Sequence, residues 1–209
     1  MAASLWGWTM SKEKTKTILL EAGRQVFLER GYNNAGIEAV LQAAGVPKGS
    51  FYYYFDSKED FGLQVLNRFA ECHDANLDAH LGDETLSPLS RLRHHFEATI
   101  TLLETKGCRN GCLAGNLSQE MADQSEAFRA RLQEIFGRWV DRYADCIRQA
   151  QAIGEVAEDL DPHRTAEFLL HGWQGAILRA KIARNIAPLH TFLEMIFGVL
   201  FRLRSPAPV

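Results

Sequence analysis

The sequence predicts an all-α chain of about nine helices. Three observations carry this prediction. Apolar residues recur every three or four positions along most of the chain, and capping residues, glycines and prolines punctuate these runs. No stretch alternates apolar and polar residues as a half-buried strand does, and there is no internal repeat or low-complexity tract.

Residues 1–10, MAASLWGWTM, are expected to form a disordered extension, the alternatives being a misassigned start or an arm beside DNA. From Lys12 to Glu29, Ile18, Leu19, Ala22, Val26 and Phe27 fall at helical spacing, and Gly31-Tyr32 ends the run as a C-cap does. Ile37, Val40, Leu41 and Ala44 mark a short second helix closed by Gly45, with Asn33 or Asn34 available as its cap. Pro47 then sits where a first helical turn tolerates proline. The next break is Asp56-Ser57-Lys58-Glu59, where Ser57 with Asp60 three residues on resembles a capping box with Asp in place of Glu. A long helix carrying Phe61, Val65, Leu66 and Phe69 follows. Gly82 to Pro88 is a connection, after which Leu89, Leu92, Phe96, Ile100 and Leu103 repeat at helical spacing. Gly107, Gly111 and Gly115 crowd around Cys108 and Cys112. From Glu126, the residues Phe128, Leu132, Ile135, Phe136, Trp139, Val140, Tyr143 and Ile147 mark a long amphipathic helix that ends near Gly154. Asp161-Pro162 is a cap followed by a first-position proline, and Pro188 opens a last helix running through Leu203.

A composition of 46% hydrophobic and 23% charged residues is that of a chain able to bury a core without staples. Charges interrupt every apolar run before it reaches membrane-spanning length, and the first residues lack the basic-then-apolar order of a signal peptide, so a cytoplasmic protein is expected with no membrane partner. Four irregularly spaced cysteines in a chain of this size read as reduced thiols. A formal net charge of -3 argues against a generally polybasic binder of nucleic acid, so any such contact must be local.

The run Phe51-Tyr52-Tyr53-Tyr54-Phe55 is where such a contact can be built. Two short helices joined by the turn Ala44-Gly45-Val46-Pro47-Lys48-Gly49, with a third helix in front, match a helix-turn-helix, which presents its second short helix to the major groove. Phe51 and Phe55 lie about 40° apart on a helical wheel and share the core face, while Tyr52 and Tyr53 lie roughly 100° and 200° round and face outward. Tyr54, about 60° to the other side, flanks the core with its hydroxyl free for the rim. Lys48, Gly49 and Ser50 precede these tyrosines at a helix start, suited to phosphate and base-edge contacts, and Gly49 allows close backbone approach. Lys58 begins the next helix, where its charge opposes the helix dipole and gains nothing from the fold; a phosphate partner accounts for it.

These residues, together with Ala22, Phe27, Gly31-Tyr32, Ile37, Val40, Ala44-Gly45-Val46, Ser57-Lys58-Glu59 and Phe61, resemble the DNA-binding domain of TetR/AcrR-type transcriptional repressors over about fifty residues. Gly36-Ile37 departs from it, standing where many members have a threonine. The resemblance implies that Lys48, Gly49, Ser50, Tyr52, Tyr53, Tyr54 and Lys58 meet double-stranded operator DNA. It also implies a helix-turn-helix domain over residues 11–57 and an inducer-binding and dimerisation domain over residues 58–209. A homodimer through the last two helices, residues 163–203, is expected on physical grounds too. Leu169, Trp173, Ile177 and Ala180 form one stripe with Leu170 and Leu178 off it, and Leu189, Phe192, Leu193, Ile196, Phe197, Leu200 and Phe201 nearly encircle their helix.

Within the larger domain, Cys112 follows Gly111 at the start of a short helix with Arg109 nearby, and both the dipole and the cation favour a thiolate. Gly111-Cys112-Leu113, Asn116-Leu117, Glu120 and Ala180-Lys181-Ile182 resemble a subgroup of NemR-like and acrylate-type regulators that respond to electrophiles or oxidants. That resemblance implies a sensor role for Cys112, with Lys181 as a neighbour that tunes or reacts with it. Cys108 could resolve an oxidised Cys112 as a disulfide. The alternatives are that Cys112 only packs and Lys181 only snorkels, or that the chain is a thiol-dependent all-α enzyme using Cys112. The enzyme reading leaves the DNA-binding motif unexplained and has no histidine near Cys112 in sequence. Nothing fixes the spacing of Cys72-His73 with Cys108 and Cys112 as a zinc site, so neither a metal nor a cofactor is expected. Cys72 and Cys146, inside helical runs, read as packing or surface thiols. His73, His94, His95, Phe96, Asn116, Trp139, Tyr143 and Trp173 are the residues from which an inducer cavity would be built.

Overall fold

The computed structural model describes the backbone of residues 3–202 and the side chains of residues 12–202. Those residues form nine α-helices and no strand. In chain order they are α1 (Ala3–Arg30), α2 (Ile37–Ala44), α3 (Phe51–Tyr54), α4 (Lys58–Leu81), α5 (Pro88–Thr105), α6 (Leu113–Met121), α7 (Glu126–Ala152), α8 (Pro162–Ala183) and α9 (Ala187–Met195). A 3-10 turn over Lys48–Ser50 leads into α3, and a π-helical turn over Ile196–Leu200 follows α9. The expected disordered extension over residues 1–10 falls on residues whose side chains lie outside the described set. Two compact units emerge: residues 1–72 with 113–132, and residues 73–112 with 133–209.

In the first unit the local signals act where they stand. Gly45 ends α2 with φ 64°, and the pair Val46 N–H to Leu41 O (3.1 Å) and Gly45 N–H to Gln42 O (3.2 Å) closes a Schellman turn. Ser57 caps α4 by accepting from Asp60 N–H at 3.0 Å, and the Asp60 carboxylate accepts from Asp56 N–H at 3.1 Å, a capping box displaced by one residue. The start of α2 differs from expectation. Gly36 is its N-cap, with no side-chain hydrogen bond, because Asn34 turns back toward the Arg30 carbonyl and Asn33 N–H donates to Glu120.

The core of this unit is aromatic. Phe61 sits 5.7 Å from Phe27, 5.2 Å from Phe51 and 4.7 Å from Phe55, centroid to centroid, and Tyr32 lies 5.1 Å from Phe27 and 5.2 Å from Phe128. Two glycines make room for these rings. A Cβ on Gly23 would stand 2.3 Å from Phe61, and one on Gly62 would stand 2.6 Å from Tyr32 and 2.8 Å from Phe128.

In the second unit Asp161 caps α8 by accepting from Arg164 N–H at 2.8 Å, and Pro162 is the first helical residue. Its core centres on Phe96, with rings of Trp173 at 4.8 Å, Tyr143 at 5.5 Å and Phe192 at 5.5 Å. The last helix is not continuous, as Phe201 N–H bonds Ile196 O five residues back at 3.0 Å and turns the chain into a π-helical turn around Gly198. Leu203, the expected end of this run, lies outside the described residues.

Candidate nucleic-acid interface and thiol region

Burial in the first unit follows the helical phase of the aromatic run. Phe51 and Phe55 are 0% and 1% exposed, Tyr52 and Tyr53 are 70% and 56% exposed, and Tyr54 is half-buried with its ring 5.0 Å from that of Tyr53. The helix itself stops one residue early, since Phe55 has φ -139° and ψ 135°, yet its ring reaches the same face. Gly49 has no protein atom within 4 Å of a would-be Cβ and no positive φ, so nothing inside the fold requires glycine there. Ser50 is half-buried beside it.

Four lysines belong to the same unit as the exposed tyrosines. Lys48, fully exposed, pairs with the equally exposed Glu38, which holds the ammonium pKa up and the carboxyl pKa down. Lys12 lies 4.5 Å over the Tyr53 ring and Lys16 lies 5.9 Å from the centre of the Phe55 ring. Both stand on α1, about forty residues from α3, so only packing brings them here and no local signal marks them. Lys58 differs from expectation in having partners within the fold: its ammonium donates to Asn33 O at 3.3 Å and lies 4.6 Å over the Tyr32 ring. Burial lowers its pKa and the Glu120 carboxylate opposes that shift.

Glu120, near the end of α6, is the acceptor that organises the loop between α1 and α2. It takes the Asn33 N–H at 3.0 Å and packs against Gly31, whose φ of 78° and lack of a Cβ let the carboxylate approach. Tyr32, between them, is 6% exposed, and burial raises its pKa to about 12, with Glu59 adding to the shift. The sequence showed Glu120 only as part of a resemblance.

In the second unit the loop after α5 is tightly wound, with positive φ at Gly107 (61°), Cys108 (50°), Asn110 (70°) and Gly111 (70°). Cys108 is buried within it, Arg109 is exposed, and half-buried Cys112 directly precedes Leu113, the first residue of α6. Lys181 is half-buried in the last turn of α8. Cys146 is a packing thiol: it donates to Pro88 O at 3.0 Å and burial pushes its pKa up to about 11. Cys72 is exposed on α4 in the first unit. Among the described residues no three His, Cys, Asp or Glu side chains are placed to hold a metal ion, and no helix is long and apolar enough to cross a membrane.

Of the residues expected to line an inducer cavity, His73, Phe96, Trp139, Tyr143 and Trp173 meet in the second unit, whereas Asn116 belongs to α6 in the first. His73 stacks 4.1 Å from Trp139, whose Nε1 donates to Asp74 at 2.8 Å. His95 Nε2 stands 3.2 Å from the Tyr143 hydroxyl, and His95 Nδ1 stands 3.3 Å from Nδ1 of His80. Burial lowers the pKa of His73 to about 4 and of His95 to about 3, so both rings are neutral near pH 7. Tyr143, also buried, is held above its usual pKa, first by burial and then by the charge that Cys112 would carry. Cys112 therefore lies within electrostatic reach of the Tyr143 hydroxyl. Sequence reasoning named His73, His94 and His95 separately and omitted His80, because a side-chain chain across α4, α5 and α7 leaves no mark on any one helix.

Comparison with known proteins adds the following. Residues 19–65 match the family model described as bacterial regulatory proteins, tetR family, and residues 88–196 match the model described as tetracyclin repressor-like, C-terminal domain. The HTH-type transcriptional repressor DhaR of Mycobacterium sp. strain GP1 is 42% identical over 91% of this chain and 94% of its own length. The transcriptional regulator AcuR of Cereibacter sphaeroides is 43% identical over 90% of this chain and 85% of its own length. The crystal structure of reduced NemR from Escherichia coli superposes with a TM-score of 0.79 at 30% identity, covering 89% of this chain and 97% of that one.

Proposed function

Since the chain belongs to the tetR family of bacterial regulatory proteins, ligand-responsive regulators that bind operator DNA and act as dimers, we propose that it is a homodimeric repressor reading a pseudopalindromic operator with α3. The observation that carries this reading is the exposed Tyr52-Tyr53 edge, anchored by fully buried Phe51 and Phe55, with Lys12 over the Tyr53 ring and exposed Lys48 and half-buried Lys58 in the same unit. Tyr52, Tyr53 and Tyr54 supply base-edge and phosphate contacts, Gly49 lets the backbone approach, and Ser50, Lys48 and Lys58 meet phosphates.

Exposed Phe168, Leu178, Ile182, Met195 and Val199, on α8 and on α9 with its π turn, support pairing of two copies through the last two helices. The protein works in the cytoplasm, where operator DNA is. Its signal is a small electrophile captured by Cys112, with Lys181 tuning the thiol and Cys108 in reserve as a resolving partner. Favouring this is the half-exposed position of Cys112 where the strained loop enters α6, the helix whose Glu120 holds the α1–α2 loop. Adduct formation shifts the population toward a conformer whose two recognition helices no longer fit the half-sites. A thiol-dependent enzyme is disfavoured, since the relatives above are named as regulators.

Selection of genomic fragments by the purified protein, followed by footprinting, tests the DNA reading. A dyad-symmetric site is expected, and retention of no fragment at low salt refutes it. Anisotropy with that site then tests the thiol. N-ethylmaleimide should release the wild-type protein and leave Cys112→Ser bound; equal release of both removes Cys112 as the sensor.

A further inference from the structure

The hydrogen bond and the ring contact that hold the head of Lys58 both come from the α1–α2 loop. Its ammonium donates to the Asn33 carbonyl at 3.3 Å and lies 4.6 Å over the Tyr32 ring. A lysine head ends a flexible four-carbon stem, so it is placed no better than the loop that holds it. The loop is held in turn by Glu120 of α6, 87 positions along the chain and in the same unit. One carboxylate oxygen accepts the Asn33 N–H at 3.0 Å, and both oxygens lie 3.0 Å from where a Cβ on Gly31 would stand. Asn33 is thereby bracketed: its N–H donates to the carboxylate and its carbonyl accepts from the ammonium. We propose that Glu120 is a positioning residue for operator binding, which by holding Asn33 sets Lys58 in place for a phosphate before DNA arrives. The proposal rests on the reading that Lys58 meets a phosphate.

Charge alone gives the opposite expectation. Burial lowers the Lys58 pKa, and the Glu120 charge acts against that shift. A carboxylate in the field of a phosphate-binding lysine repels a polyanion, so on charge alone its removal should tighten binding. The geometry argues for a different role. The hydrogen bond runs to a backbone N–H of the loop, so what Glu120 supplies is an acceptor that reaches from α6 to that peptide. Neighbouring contacts fix the base from which it reaches. Tyr32 packs edge to face on Phe128 at 5.2 Å, and Ser125 Oγ accepts from Phe128 N–H at 3.2 Å and donates to Glu59, the residue after Lys58. With its base fixed, the length of the Glu120 side chain decides where Asn33 is held.

The test separates reach from charge at a half-buried position that tolerates conservative change. Glu120→Asp keeps the charge and draws the acceptor back by one methylene group, whereas Glu120→Gln removes the charge and keeps an acceptor oxygen at full reach. Operator affinity of the full-length protein is read by anisotropy over a series of salt concentrations, with the mapped duplex as probe. In Glu120→Asp, Lys58 is ordered only on binding, which should cost about threefold per protomer and so about tenfold for a dimer. Its log–log salt slope should run parallel to that of the wild type, because the phosphate contact still forms. Glu120→Gln should not share this loss, and in a Lys58→Ala background Glu120→Asp should cost nothing further. Tighter binding by Glu120→Gln with Glu120→Asp unchanged overturns the proposal and leaves Glu120 as a like charge facing DNA. A Glu120→Gln protein as weak as Glu120→Asp overturns it too, as does a Glu120→Asp loss that persists in full without Lys58. If Lys58→Ala leaves the salt slope unchanged, the phosphate reading of Lys58 fails and the proposal falls with it. A shallower slope in Lys58→Ala beside wild-type binding in Glu120→Asp refutes the positioning alone.

Discussion

Replacing Phe51 and replacing Tyr52 should have opposite consequences although the residues are adjacent. Phe51 is 0% exposed and its ring meets Phe55 and Phe61, each at 5.2 Å, and Tyr52 at 5.3 Å. Phe51→Ala empties a site walled by rigid rings from α3, α4 and the turn between them, which cannot collapse easily, so the expected loss is about 4 kcal/mol. That is a large share of the roughly 5–15 kcal/mol by which a domain is stable. Tyr52 is 70% exposed, and its alanine variant loses one edge-to-face contact while gaining helix propensity, a net cost of about 0.5 kcal/mol. If Tyr52 contacts DNA once per half-site at about 1 kcal/mol, a dimer loses about 2 kcal/mol, or roughly thirtyfold in affinity. Urea denaturation followed by circular dichroism gives the first quantity and anisotropy with the mapped operator the second. A Tyr52→Ala protein that binds its operator like the wild type refutes the reading edge. A Phe51→Ala protein with an unchanged urea midpoint refutes the anchoring.

Lys58→Ala should flatten the salt dependence of operator binding by about one phosphate contact per protomer, and an unchanged log–log slope removes Lys58 from the interface. Acid should destabilise the second unit early: unfolded histidine takes a proton below about pH 6.5, whereas His73 and His95 refuse one until about 4 and 3. The unfolded state thus binds more protons as pH falls, and up to about 4 kcal/mol is lost by pH 5. A urea midpoint constant from pH 7.5 to 5 contradicts two imidazoles held neutral by the fold. Gly62→Ala forces a methyl group to within 2.6 Å of Tyr32 and 2.8 Å of Phe128 and should cost about 1–3 kcal/mol in thermal unfolding, against the gain alanine brings to an open helix.

How much of this was legible in the sequence depended on whether the deciding interaction was local. Gly45, Ser57, Asp161 and Pro162 act through bonds spanning a few residues, and each does in the fold what its chemistry implies. The phase of Phe51 to Phe55 was equally legible, since burial of a four- or five-residue run depends on angle alone. The cap of α2 was not. Asn33 and Asn34 were both open as caps, but Asn33 N–H is taken by Glu120, 87 positions away, Asn34 turns back to Arg30, and Gly36 stands at the N-cap. The internal partners of Lys58 were hidden for a similar reason, its carbonyl and ring partners coming from the α1–α2 loop. The histidine chain is the extreme case, built from one residue on each of three helices, two histidines and one tyrosine, whose partners no periodicity encodes.

The lysines around α3 show how a chain of net charge -3 can hold a polyanion without a generally basic surface. Lys48 pairs with Glu38 where both are fully exposed, so water and salt already screen the pair and exchanging the carboxylate for a phosphate costs little. Lys58 is placed differently. Its stem is half-buried, a carbonyl and an aromatic face fix its head, and burial weakens its charged form, a loss that a nearby phosphate would restore. If both meet phosphates as proposed, Lys48 would exchange its exposed carboxylate partner, while Lys58 would be positioned before DNA arrives, with little side-chain entropy left to lose. Flexible contacts contribute mainly to encounter and positioned ones to residence. Lys48 should accordingly act on the association rate, and Lys58 on the lifetime of the complex.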